Sequence, residues 1–166
     1  MSEDLLFVFY IVFLLSMGKL MQKAHNLLLP SVDTSSLKEN VACIANFLGI
    51  EINPDLPLPT VNVLGEEELA PINPDWDYFN YEVLGIYYHR WLRILLNPAS
   101  RQDIFYHELS HYVQYAYNRV PKDEKTKENE AWACTHHLMT VYHPFRYQVL
   151  KMVGCGYIGS GLFEIR

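Results

Sequence analysis

Cysteine is scarce in this chain and poorly spaced for bridging. Cys43, Cys134 and Cys155 are an odd set at wide separation, which excludes a disulfide framework and any C-x-x-C zinc module. Reduced and mostly buried thiols in a cytoplasmic protein are the expectation that remains. A surplus of positive charge is also missing. Thirteen Lys and Arg stand against 19 Asp and Glu, a formal net charge of −6, so the footprint of a general nucleic-acid binder is absent and no nucleic-acid partner is expected. No apolar run reaches the length of a confident membrane span, about 18 residues or more. Val153 to Gly161 is rich in glycine, but no G-K-[ST] follows it, which argues against phosphate binding. No internal repeat points to a solenoid.

What is present begins with an apolar leader. Leu5 to Leu15 reads LLFVFYIVFLL behind the acidic Ser2-Glu3-Asp4, the wrong flank for a signal peptide. It is expected to be a buried helix or leader over residues 1–22. The competing expectation is membrane association through residues 5–21, with Lys19 and Lys23 keeping the rest of the chain cytoplasmic. The chain of 166 residues, 50% hydrophobic, is the size of one domain with a real core. That domain is expected over residues 30–150, with 151–166 as a Gly-rich tail.

Further along, Ser36 and Glu39 form an S-x-x-E start signal ahead of Leu37, Val41, Ile44 and Leu48, and Gly49 supplies a stop. This predicts an amphipathic packing helix over about 37–48. Asn53 to Pro59 holds three prolines and reads as a connector. Thr60 to Leu64 is a short strand, followed by an acidic, proline-punctuated loop from Gly65 to Asn80 that would favour basic substrates if it bordered a cleft. Glu82 to Tyr88 and Trp91 to Leu96 read as two strands joined by a tight hairpin at His89-Arg90.

After Asn97-Pro98, Ser100 and Asp103 open a helix that carries His107-Glu108-Leu109-Ser110-His111. This H-E-x-x-H spacing is the most informative feature of the sequence. Residues i and i+4 share one helix face, so both imidazoles can reach one metal ion while Glu108 points at what the metal holds. Phe105, Leu109, Tyr112 and Ala116 line one side of the helix and Tyr106, Val113 and Tyr117 another, leaving little polar surface beyond the motif and Gln114. Such a helix must be buried, and two imidazoles and a carboxylate are costly to bury without a partner such as a cation.

A catalytic zinc usually takes three protein ligands and keeps one position open. The next helix, expected over about 127–141 between Thr126 and Pro144, offers the third. Ala131, Cys134, Leu138 and Val141 form its apolar stripe, and Glu130 adjoins it. Glu130 is the expected ligand. Glu128, about 160° around the helix from it, and Glu124, before the expected helix start, are the alternatives.

The run from Gly85 through Arg93-Ile94-Leu95-Leu96-Asn97 and the H-E-x-x-H helix to Glu130-Ala131 resembles a compact zinc metallopeptidase of gluzincin type. It is most similar to the ImmA/IrrE-type proteins and related small bacterial and phage domains, over about residues 80–142. The resemblance implies an α+β, zincin-like fold in which a small antiparallel sheet of about three strands packs against the H-E-x-x-H helix and a following ligand helix. By the same resemblance His107, His111 and Glu130 bind Zn2+ and Glu108 is the general base. Ser110 stands where the group commonly has Gly, and Cys134 stands four places after Glu130, where larger gluzincins often have an acid.

The function implied is peptide hydrolysis on a protein or peptide substrate, with Glu108 taking the proton of the attacking water and passing it to the leaving amine. An oxyanion donor is still needed, and His137, Tyr142, His143 and Tyr147 are its candidates. The alternative is a catalytically inactive, zincin-like interaction or regulatory module that keeps a structural metal.

Overall fold

The computed structural model describes residues 31–64, 85–98 and 100–152, with side chains as far as residue 148. The leader of residues 1–22, the whole acidic loop from Gly65 to Asn80 and the Gly-rich tail beyond Met152 lie outside the described residues. The chain divides into two compact units, residues 31–144 and residues 1–30 with 145–166. The first closes six residues before the boundary expected at 150. Among the described residues no helix is long and apolar enough to cross a membrane. The expected membrane anchor at residues 5–21 falls outside the described residues, is without support in the structure and is withdrawn.

The unit of residues 31–144 is α+β. Helix α1 spans Leu37–Phe47 and buries Asn40, Val41, Ile44 and Ala45, the i, i+4 face that the spacing of apolar residues specifies. Gly49 ends it at φ +66. Its N–H donates to the Asn46 carbonyl, and the Ile50 N–H reaches back to Ala45, a pairing that needs the left-handed conformation glycine adopts cheaply. The connector then runs along the second helix, where the Tyr112 hydroxyl donates to the Pro57 carbonyl and the Asn53 N–H donates to the Tyr117 hydroxyl.

Strands β1 (Thr60–Val63), β2 (Gly85–Tyr88) and β3 (Arg93–Leu96) form one sheet in the order β1-β3-β2. The sheet is mixed, not antiparallel as expected: β2 pairs antiparallel to β3, but β1 lies parallel to it, with Thr60 opposite Arg93 and Val63 opposite Leu96. A strand's alternation marks which of its faces is buried, whereas its direction depends on which partner it meets across a long connection. The β2–β3 connection is also more than a two-residue hairpin. His89–Trp91 forms a 3-10 turn and Leu92 takes φ 50, the left-handed residue that a connection without Gly or Asn must still supply. The central strand is the driest, with Ile94, Leu95 and Leu96 all buried.

Helix α2 (Gln102–Ala116) carries the motif and is buried along almost its entire length, as its nearly all-round apolar surface requires. Its start is clamped by Gln102, which accepts from the Asp33 N–H at 2.6 Å and donates to the Asp33 carbonyl at 3.1 Å. Its end turns at Asn118, φ 51, where the Arg119 N–H returns to the Gln114 carbonyl at 2.7 Å. Helix α3 (Glu124–Tyr142) packs along α2 in the most extensive helix contact of the unit, and α1 packs on both. A fourth helix, α4, follows at Pro144–Met152.

Helix α3 begins at Glu124, three residues before the start expected at about 127. Asp123 is its N-cap and accepts from the Thr126 N–H at 2.8 Å, the bond that an N-terminal carboxylate commonly makes to an orphan amide. That bond, made to the charged form, holds the exposed Asp123 carboxyl below its ordinary value. A folded-state value below the unfolded one means stability that is present at neutral pH and lost as pH falls through the acid range. Asp123→Ala is therefore expected to lower the melting temperature at pH 7 and to narrow the gap from the unaltered protein as pH falls toward 3. An unchanged gap across that range would show that the carboxylate charge contributes nothing to the cap.

Candidate metal centre

Histidines 107 and 111 lie one turn apart on α2, and their rings meet edge to face with centroids 4.7 Å apart. Their Nε2 atoms approach to 3.1 Å. The third group that reaches them is Glu128, whose Oε2 lies 3.1 Å from His107 Nε2 and whose Oε1 lies 3.2 Å from His111 Nε2. Among the described residues these three alone form a cluster able to hold a metal ion. Glu130, the residue expected in this role, is not part of it. Its Oε1 accepts from the Gln114 side-chain amide at 3.1 Å and its Oε2 lies 3.8 Å from Arg119. Glu124, the other alternative, pairs with Lys127 at 2.6 Å.

The reason lies in the true axis of the buried stripe on α3. Trp132, Thr135 and Met139 are buried along with Ala131, Cys134 and Leu138, whereas Val141 is 48% exposed. With Ala131 taken as zero and about 100° per residue, the six buried positions centre near 25°, Glu128 falls near 60° and Glu130 near −100°. Glu128 thus sits on the face that meets α2, and Glu130 at its margin. Trp132 and Met139 are the signal that would have found Glu128 in the sequence. Including them in the stripe shifts its axis away from Glu130.

Electrostatics make the cluster a trap for positive charge. Imidazole Nε2 lone pairs and a carboxylate repel one another at 3.1–3.2 Å unless a proton or a cation lies among them. Burial pulls the His111 imidazole down, but the hydrogen bond to the Glu128 carboxylate, the nearby charge of Glu108 and the contact with Gln114 outweigh it, and the net shift is upward. Burial likewise works against ionisation of Glu128, and the two histidine contacts overcome it, holding this carboxyl well below its usual range. The spacing also fits a metal. A tetrahedral zinc with ligands at about 2.0–2.1 Å keeps its ligand atoms about 3.3 Å from one another, and the donor set of two imidazoles and one carboxylate is one that zinc accepts.

Glu108 is buried beside this cluster and receives a backbone hydrogen bond from Tyr87 of β2. Burial pushes its carboxyl above the ordinary glutamate range, against the pull of His107, His111 and the Tyr87 amide. Such a carboxylate gains by accepting a proton, the property wanted in a general base. Both groups open onto one cavity of about 270 Å³, lined by Gly85, Ile86 and Tyr87 of β2, by Tyr115 and Lys127, and by His107, Glu108, His111 and Glu128.

None of the four residues expected to stabilise an oxyanion lines that cavity. His137 stacks on Phe47 at 4.5 Å, while Tyr142 and His143 lie by Tyr106. Tyr147 falls on α4, in the other unit. The cavity groups able to donate are Tyr115 and Lys127, and nothing in the sequence distinguished them from surface residues. The expected Cys134 thiol is fully buried and pushed up to about 12 by burial, which leaves it a packing residue and not a nucleophile.

Gly85 lets β2 come this close. A Cβ there would meet Ile104 Cγ2 at 2.8 Å, Glu108 Cγ at 3.0 Å and Leu96 Cδ2 at 3.1 Å. Gly85→Ala is expected to cost about 1–3 kcal/mol by overpacking and to push the Glu108 side chain off its position. A denaturant midpoint equal to that of the unaltered protein would contradict this close approach.

Comparison of the chain with family models, with curated proteins and with solved structures finds no match.

Proposed function

We propose that this chain is a zinc-dependent metallopeptidase of zincin-like, gluzincin type, in which His107, His111 and Glu128 hold the metal and Glu108 is the general base. One observation carries the reading: two imidazole Nε2 atoms and a carboxylate converge within 3.2 Å of one another at the wall of a cavity that also holds a buried carboxylate of raised pKa. When bound, zinc supplies Lewis acidity, which polarises a carbonyl and acidifies water. The chain's own residues do the rest. Glu108 removes the proton from the attacking water and delivers it to the departing amine.

A peptide is favoured as substrate by the strand beside the site. β2 is one of the two edges of the sheet among the described residues, and Gly85, Ile86 and Tyr87 line the cavity. An extended chain laid along such an edge gains main-chain hydrogen bonds whatever its side chains, which aligns an amide with the base without demanding one sequence.

The test is metal analysis of the purified protein together with cleavage of a mixed library of unstructured peptides, before and after chelation and zinc return. Near one zinc per chain, with cleavage that disappears on chelation and returns with zinc, is the expected result. Bound zinc without any cleavage would transfer support to an inactive module with a structural metal. Failure to bind zinc would remove both readings.

A further inference from the structure

We infer that Gln114 is the positioning residue of the metal centre: one buried amide that selects the tautomer of His111 and fastens the turn of α3 from which Glu128 projects. The inference rests on the metal reading above, but the hydrogen-bond logic behind it does not need a metal. Gln114 is fully buried and makes three side-chain contacts. Its Nε2 donates to the Lys127 carbonyl at 3.0 Å and to Glu130 Oε1 at 3.1 Å, and its Oε1 faces His111 Nδ1 at 2.9 Å.

Only one assignment of these atoms is consistent. A backbone carbonyl can accept and never donate, and an ionised carboxylate is likewise acceptor-only. The side of Gln114 that faces Lys127 and Glu130 must therefore be its NH2 group, which leaves the carbonyl oxygen toward His111. That oxygen can only accept, so His111 Nδ1 must carry the hydrogen and donate it. In the neutral ring Nε2 is then bare and aimed at His107 and Glu128, the state a metal ligand requires. His107 has no equivalent: its Nδ1 is buried with no hydrogen-bond partner, and its ring is held against Trp132, centroids 4.1 Å apart. The two histidines are thus unequal on their Nδ1 sides, one set by a hydrogen bond and the other by packing.

The second contact acts on the other helix. Lys127 precedes Glu128, so the bond from Gln114 to the Lys127 carbonyl ties the first turn of α3 to α2 within one residue of the carboxylate. Glu130 completes the arrangement by taking the second amide hydrogen. Its part is to hold Gln114, which explains why a carboxylate next to the site does not enter it. An error in Gln114 is therefore felt at two of the three metal-binding groups at once.

The experiment compares the full chain with Gln114→Leu, Gln114→Glu and Glu130→Ala, reading cobalt(II) affinity and spectrum and, without metal, the histidine tautomers by 15N NMR. Gln114→Leu is expected to weaken cobalt binding by about 10- to 100-fold and to move His111 from the Nδ1-H form toward a mixture of tautomers. Gln114→Glu keeps an acceptor for His111 but loses both donors, so it should preserve the tautomer while still weakening the metal. Glu130→Ala, at a partly exposed position, should weaken binding by a few-fold and serves as the reading if Gln114 variants do not fold. Unchanged affinity together with an unchanged tautomer in a folded Gln114→Leu protein would overturn the inference, as would a Glu130→Ala protein with no change in affinity where that variant is the reading. A parent chain that binds no cobalt would overturn the metal reading instead, and the tautomer measurement would still decide whether Gln114 sets His111.

Discussion

Glu128→Gln should leave the purified protein without zinc, while Glu130→Gln should leave it loaded. Glu128 is the carboxylate in contact with both Nε2 atoms, and an amide in its place keeps the shape but supplies neither the charge nor a second anionic oxygen. Loss of a partner that only orients a ligand typically costs about 10–100-fold in affinity, so loss of the ligand itself is expected to exceed about 100-fold. Glutamine at 130 retains an oxygen able to accept from Gln114 and should change affinity by no more than about a few-fold on the same scale. Zinc content after dialysis, backed by competition against a chelator of known affinity, reads both. Equal loss in the two variants, or loss at 130 alone, would return the third position to Glu130.

The same affinity should fall with acidity. The folded His111 imidazole is raised above its ordinary value, so below that raised value it binds a proton where the metal would bind, and metal and proton compete. Binding is thus strongest above the raised value and is lost as pH drops through it. A flat affinity from pH 8 to 5 would contradict the competition.

Glu108→Gln should abolish hydrolysis while retaining the metal. Glu108 lies in the cavity beside the cluster but outside it, so the substitution removes no ligand. It removes the carboxylate of the site whose surroundings favour taking up a proton, since burial lifts it above the usual glutamate range. A positioned general base is worth about 10²–10⁴ in rate, and kcat is expected to fall by that factor with zinc content unchanged. Measuring kcat and zinc on the same preparation separates the two effects. A variant that kept its kcat would remove Glu108 from the chemistry, and one that lost zinc would show it to be structural.

Much of the site was legible because its spacing obeys helix geometry. His107, Glu108 and His111 follow from one i, i+4 pair and one intervening carboxylate, and the buried state of α2 follows from an apolar surface on nearly every side. Helix α1 and its glycine stop, the three strands and the proline connector were equally local. The carboxylate that joins the two histidines was not, because choosing between two glutamates two residues apart required the axis along which α3 meets α2, and that axis depended on Trp132 and Met139 being buried and Val141 exposed.

The sequence by itself determined where the two histidines and Glu108 come together, since periodicity and residue type act within a few residues and need no partner. Tertiary structure alone decided which carboxylate completes the cluster, that β1 runs parallel to β3, and that Gln114 bridges both helices. Each of those depends on how two distant segments face each other, and a local pattern does not encode that angle.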